Sequence, residues 1–170
     1  MQADSDLPTR PPMIRLLNVA ANQFAEEFTV KLAAVGLGDL RPGHGCVFGN
    51  IDPEGGTRLT ELAERANMTK QSVGEFASDL EKLGYLERVP DPNDGRAKII
   101  RLTEQGRRAY WIGRQLIDEL EHEWGERYGE ERIAALREGL EVVTAEGLGG
   151  VRPVRVPDRG QALLGEVPHT

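Results

Sequence analysis

The chain has a single cysteine, Cys46, which excludes an internal disulfide framework and a zinc site built from several cysteines. Aromatic residues make up only 5% of it, a poor basis for an aromatic-rich β-sandwich. No run of about 18 apolar residues occurs, so a membrane-spanning helix is not expected. Basic residues are outnumbered, 21 Lys and Arg against 28 Asp and Glu, for a net charge of -7. Such a molecule cannot coat nucleic acid non-specifically, and any contact with DNA must come from a local patch. Catalytic parts are scarce as well. Of three serines, Ser72 sits in KQSVG, which lacks the first glycine of a nucleophile elbow. Gly36-Leu37-Gly38 does not follow a strand, so it is no dinucleotide loop, and His44, His122 and His169 show no ligand spacing. These absences argue against an enzyme, a cofactor or a bound metal. The first residues, MQADSDLPTRPP, are polar and acidic, unlike a secretory signal, and the expected location is the cytoplasm.

What is present is helical periodicity. After a proline-rich arm (residues 1–11), Met13, Leu17, Ala20, Phe24 and Phe28 recur on one face of a helix of about 24 residues that starts at Pro12 and leaves at Gly36. Leu40 to Asp52 is ambiguous: Pro42 can open a short helix carrying Val47, Phe48 and Ile51, but Gly43, Gly45 and Gly49 weaken it. Pro53 to Gly56 is a turn. Leu59 to Ala66 forms a short helix, and Thr69 is placed to cap a second one, whose stripe is Val73, Phe76, Ala77, Leu80 and Leu83 and whose exit is Gly84. Tyr85 to Val89 and Ala97 to Leu102 read as two strands around the turn-rich loop PDPNDG. Thr103 caps a further helix with Ala109, Ile112, Leu116, Leu120 and Trp124 on one face. Gly129 separates it from a last helix carrying Ile133, Leu136, Leu140 and Val143. From Gly147 onward the chain is rich in glycine and proline without periodicity, a flexible tail.

Two short helices, a strand, a polar loop and a returning strand are the order of a winged helix-turn-helix. The expected fold is therefore mainly α with a small β-hairpin wing. In this unit the second helix enters the major groove by its N-terminal turn, where free N–H groups favour phosphate and the first side chains meet base edges. Thr69, Lys70, Gln71 and Ser72 occupy that turn. Lys70 suits a phosphate or guanine, and Gln71 suits adenine. Arg96, with Lys98 behind it, stands on the wing, where a narrow minor groove attracts arginine. Charge is polarised accordingly: Arg96, Lys98, Arg101, Arg107 and Arg108 cluster near the wing, while the acidic surplus lies in the C-terminal helices.

Leu59 to Gly106 resembles the DNA-binding core of the MarR family of transcriptional regulators. The most specific element is Asp91-Pro-Asn-Asp-Gly-Arg-Ala-Lys98 followed by Leu102-Thr103 and Gly106. The architecture is similar over residues 12–146, with a DNA-binding core at about 56–106 and dimerisation helices at about 12–36 and 103–145. The resemblance implies a homodimer that sets two winged helices on a palindromic duplex, with half-sites about 10 bp apart. It implies an Asp94–Arg96 pair that shapes the wing, with Arg96 in the minor groove. It also implies a repressor relieved by a small ligand, often aromatic or oxidising, held near the dimer interface. Two long apolar-faced helices around a small core call for a partner subunit on physical grounds too. One departure stands out: where the family usually places Ser or Thr and then Arg, this chain has Gly74 and Glu75. Glu75 repels phosphate unless it accepts from a cytosine amine. Those two residues motivate the alternative of a winged-helix interaction or ligand-binding module without DNA affinity. Cys46 has no adjacent Lys or Arg and reads as an ordinary buried thiol. Trp111 and Trp124 read first as packing residues and second as neighbours of an aromatic ligand. Arg152, Arg155 and Arg159 in the tail read as part of a solvated linker.

Overall fold

The computed structural model describes residues 10–147, so most of the proline-rich arm and the tail, with its three arginines, lie outside the described residues. Among the described residues no helix is long and apolar enough to cross a membrane. Helix α1 (Met13–Ala34) follows Pro12 and is left through Gly36 at a positive φ of 83°. The expected apolar face forms, but only its C-terminal part is covered, with Leu32 buried and Phe24 and Phe28 half-buried. Met13, Ile14, Leu16, Leu17 and Val19 are exposed.

The ambiguous segment resolves into a 3-10 turn, Pro42–His44, and the one-turn helix α2 (Gly45–Phe48). Its glycines keep it short, yet Val47 and Ile51 are wholly buried and anchor it in the core. Strand β1 (Thr57–Arg58) follows, then α3 (Leu59–Arg65) and α4 (Lys70–Lys82). Strands β2 (Leu86–Asp91) and β3 (Asp94–Leu102) complete a three-stranded antiparallel sheet in the order β1-β3-β2. Sequence reading did not anticipate β1. A two-residue strand carries no period, and it forms because Thr57 and Arg58 find Ile100 and Ile99 of β3.

The hairpin also differs from expectation. Instead of a loop over Pro90 to Gly95, the strands run on to Asp91 and Asp94, and only Pro92 and Asn93 lie between them. The cause is Asp91, whose carboxylate accepts the Asn93 N–H at 2.8 Å in an Asx turn that takes the place of a longer loop.

Helix α5 (Glu104–Tyr128) starts at Thr103, whose hydroxyl accepts the Gly106 N–H at 3.0 Å, the expected cap. Gly106 is sterically required: a Cβ there would lie 2.0 Å from the carbonyl oxygen of Tyr85, which itself accepts the Thr103 N–H. This contact seats α5 on the start of the wing. Helix α6 (Glu130–Gly147) turns back along α5. Leu62, Val73, Ala77, Leu80, Tyr85, Leu86, Ile100, Leu102, Ala109 and Leu116 share one core beneath α3, α4 and the sheet. Helices α1 and α5 are fastened separately. Glu27 accepts from Trp124 Nε1 at 3.2 Å and from Arg127 at 3.0 Å, Lys31 meets Glu123 at 2.6 Å, and Phe24 packs edge-on against Trp124.

Candidate nucleic-acid interface

The turn between α3 and α4 is set by Asn67, the one described non-glycine residue at positive φ (49°), a conformation asparagine tolerates. Asn67 N–H and Met68 N–H close back onto Glu64 and Ala63, which ends α3 and aims α4 outward. The Thr69 hydroxyl then accepts the Ser72 N–H at 3.1 Å, and the two hydroxyl oxygens lie 2.8 Å apart. Thr69 and Ser72 thus hold each other as a cap, and their mutual bond uses one of the two hydroxyl hydrogens. Val73, Ala77 and Leu80 point into the core, and the outer face carries Lys70, Gln71 and Glu75, all exposed. Gln71 donates to Glu75 at 3.3 Å. Gly74 does not leave a gap on this face, because its missing Cβ would point to Leu59 of α3, at an ordinary 3.5 Å.

On the wing, the Asp94 carboxylate accepts the Arg96 backbone N–H at 3.1 Å. The two residues are joined through the main chain, and the Arg96 guanidinium is left free. The residue that sequence reading missed is Arg58, which binds the buried Asp91 carboxylate, Nε to Oδ2 at 2.6 Å, and ties the wing tip to β1. The Asn93 N–H, together with the Arg58 guanidinium, holds the Asp91 carboxyl below its ordinary range, against the opposing effect of burial. No local signal marks this pair, since 33 residues separate the partners.

The cations sort sharply. Of the five expected near the wing, Arg101 pairs with Glu87 at 2.8 Å, Arg108 with Glu104 at 2.5 Å, and Arg107 donates to the Leu102 carbonyl. Arg41 is held by Asp79 and Arg88 by Glu81. Among the described residues from 31 to 147, only Lys70, Arg96 and Lys98 are bases with no ion pair or hydrogen bond, and all three are exposed. They stand at the start of α4 and on the wing, where a duplex would be met. Burial pushes the Cys46 thiol up, the opposite of an activated cysteine. Trp124 spends its N–H on Glu27 and is buried, so it is a packing residue. The described residues contain no cluster of three or more His, Cys, Asp or Glu fit to hold a metal ion.

A helix pair, a capped outward helix and a three-stranded wing with free cations at both tips define a winged helix-turn-helix protein. Residues 39–97 match the model of the MarR family. Similar solved structures extend the likeness to the flanking helices. The apo form of MarR from E. coli is 21% identical, with a TM-score of 0.64 over 79% of this chain and 98% of its own. The transcriptional repressor CouR of Rhodococcus jostii, bound to a 23-mer DNA duplex, is 25% identical, with a TM-score of 0.67 over 78% and 92%. A Mycobacterium tuberculosis MarR family protein in complex with salicylic acid is 20% identical, with a TM-score of 0.61 over 81% and 99%. No curated protein matches by sequence.

Proposed function

We propose that the chain is a sequence-specific transcriptional repressor that binds a palindromic operator as a homodimer and is released by a small molecule. The observation that carries the DNA-binding part is the selective freedom of Lys70, Arg96 and Lys98, when every other base from 31 to 147 in the described residues has a partner. An unpaired cation needs no rearrangement before it meets a phosphate, and displaced counterions then drive association. Lys70 lies against the major-groove edge, and Arg96 enters the adjacent minor groove with Lys98 on its flank. Asp94 shapes the wing by fixing the Arg96 main chain, and Thr69 with Ser72 secures the helix start.

The homodimer is supported by apolar surface that one chain leaves uncovered: Met13 is 75% exposed and Val143 68%, with Ile14, Leu16, Val19, Leu140 and Val142 also open. Both stretches belong to the long terminal helices, so a second copy buries them together. The release step draws on neighbours alone, CouR with p-coumaroyl-CoA and the salicylic acid complex among them. An aromatic carboxylate or its thioester is the class of ligand to try. The place of action is the cytoplasm. Selection of bound sequences from random duplex DNA tests the proposal, with enrichment of a two-fold symmetric site expected. Arg96→Ala should then weaken binding to many sequences about equally and lower the slope of affinity against salt by about one. Unchanged affinity for Arg96→Ala at moderate salt refutes the wing contact.

A further inference from the structure

The outer face of α4 offers few groups to a base. Thr69 and Ser72 bond each other and keep one hydroxyl hydrogen between them, Gly74 points to α3, and the exposed groups beyond the cap are the Lys70 ammonium, the Gln71 amide and the Glu75 carboxylate. Glu75 is an exposed carboxylate that no described cation neutralises, whereas Asp79, Glu81 and Glu87 on neighbouring elements each have an arginine. Its one partner is Gln71, which donates from Nε2 at 3.3 Å. That bond turns one amide N–H toward the carboxylate. The second amide N–H, the Gln71 carbonyl oxygen and the second carboxylate oxygen remain, so acceptors outnumber the one remaining donor on the combined edge. The major groove offers mostly acceptors in return: guanine O6 and N7, adenine N7 and thymine O4. Only the exocyclic amines of cytosine and adenine donate there.

We propose that Gln71 and Glu75 form one acceptor-bearing reading unit that selects an amine-bearing base, cytosine or adenine, and rejects guanine and thymine at one position of each half-site. The inference rests on the reading of the chain as a DNA-binding regulator. It gives the carboxylate a specific role, because like-charge repulsion weakens binding to every duplex and the matched amine offsets it in one sequence only.

Selection from random duplex DNA with the full chain, followed by affinity measurements, tests this. The wild type should enrich cytosine or adenine at one position per half-site. Guanine or thymine there should weaken binding on the order of tenfold. Glu75→Ala should reduce that discrimination to less than about threefold while raising affinity for unrelated duplex. Replacing the selected base by its analogue without the amine (pyrimidin-2-one for cytosine, purine for adenine) should cost the wild type the same factor and the variant almost nothing, which also tells the two bases apart. Because the pair acts as a unit, Gln71→Ala combined with Glu75→Ala should lose no more discrimination than Glu75→Ala alone. A wild type that selects a site whose base preferences survive Glu75→Ala overturns the reading unit and leaves the regulator standing. A wild type that selects no sequence overturns both.

Discussion

The winged-helix core and the long terminal helices obey different rules in a single chain. In the core, Val47, Ile51, Leu62, Val73, Leu80 and Leu102 are wholly buried, and its surface cations are paired except for three at the two tips. In α1 and α6 the polar groups are well served, as the Glu27 and Arg137 bonds show, yet large apolar side chains face solvent. The contrast teaches that the core is complete within one chain, while the helical part leaves large apolar side chains uncovered. On the proposed function, free charge marks the side that meets DNA and free apolar area the side that meets a second copy.

The largest effect that would break the comparison is at the joint between the two regions. Gly106→Ala drives a methyl group into the Tyr85 carbonyl, and a loss on the order of 3 kcal/mol is expected from denaturant unfolding. A loss under about 0.5 kcal/mol would show that α5 is not seated there. Next comes the helical face. Leu140→Glu should convert a sedimenting dimer to monomer at micromolar concentration, weakening association about a hundredfold or more, and leave core unfolding unchanged. A wild type that sediments as a monomer would remove the distinction altogether.

A smaller effect sharpens the picture of the core. The Asp91 carboxyl titrates below its ordinary range in the fold, so its contribution is complete above the ordinary carboxylate value and is lost as pH falls through the lowered one. Asp91→Asn should therefore destabilise the wing at neutral pH and flatten the acid limb, read by hydrogen exchange at Asn93 and Asp94; an unchanged acid limb would detach Asp91 from the wing. The smallest effect has the opposite sign. The methyl of Gly74→Ala finds room against Leu59, so a gain of about 0.5 to 1 kcal/mol with base preference retained is expected. A loss of preference would return Gly74 to the reading face.

Much of this molecule is legible without coordinates, because its signals are local. Thr69 and Thr103 are caps one turn before the N–H groups they accept, and Gly84 leaves α4 at a positive φ of 82° where a C′ glycine belongs. Helix periods locate α1, α4, α5 and α6 to within a few residues of their ends. Two elements escape. Strand β1 is too short to have a period, and the wing loop contracts to Pro92 and Asn93 because Asp91 supplies the turn with its own side chain. At the candidate site, sequence order picks out Lys70, Arg96 and Lys98 but equally suggests Arg101, Arg107 and Arg108, which the fold occupies with other partners.

Sequence alone determined the order of the long helices, the capped outward helix and the hairpin's two strands, since each depends on residues within a turn or a strand pair of one another. Tertiary structure decided which bases stay free, that Arg58 braces Asp91, and that Gly74 faces α3 while Glu75 faces outward. The reason is range. Helical period and capping act over three or four residues, whereas an ion pair is settled by which charges folding brings within about 4 Å, whatever their separation along the chain.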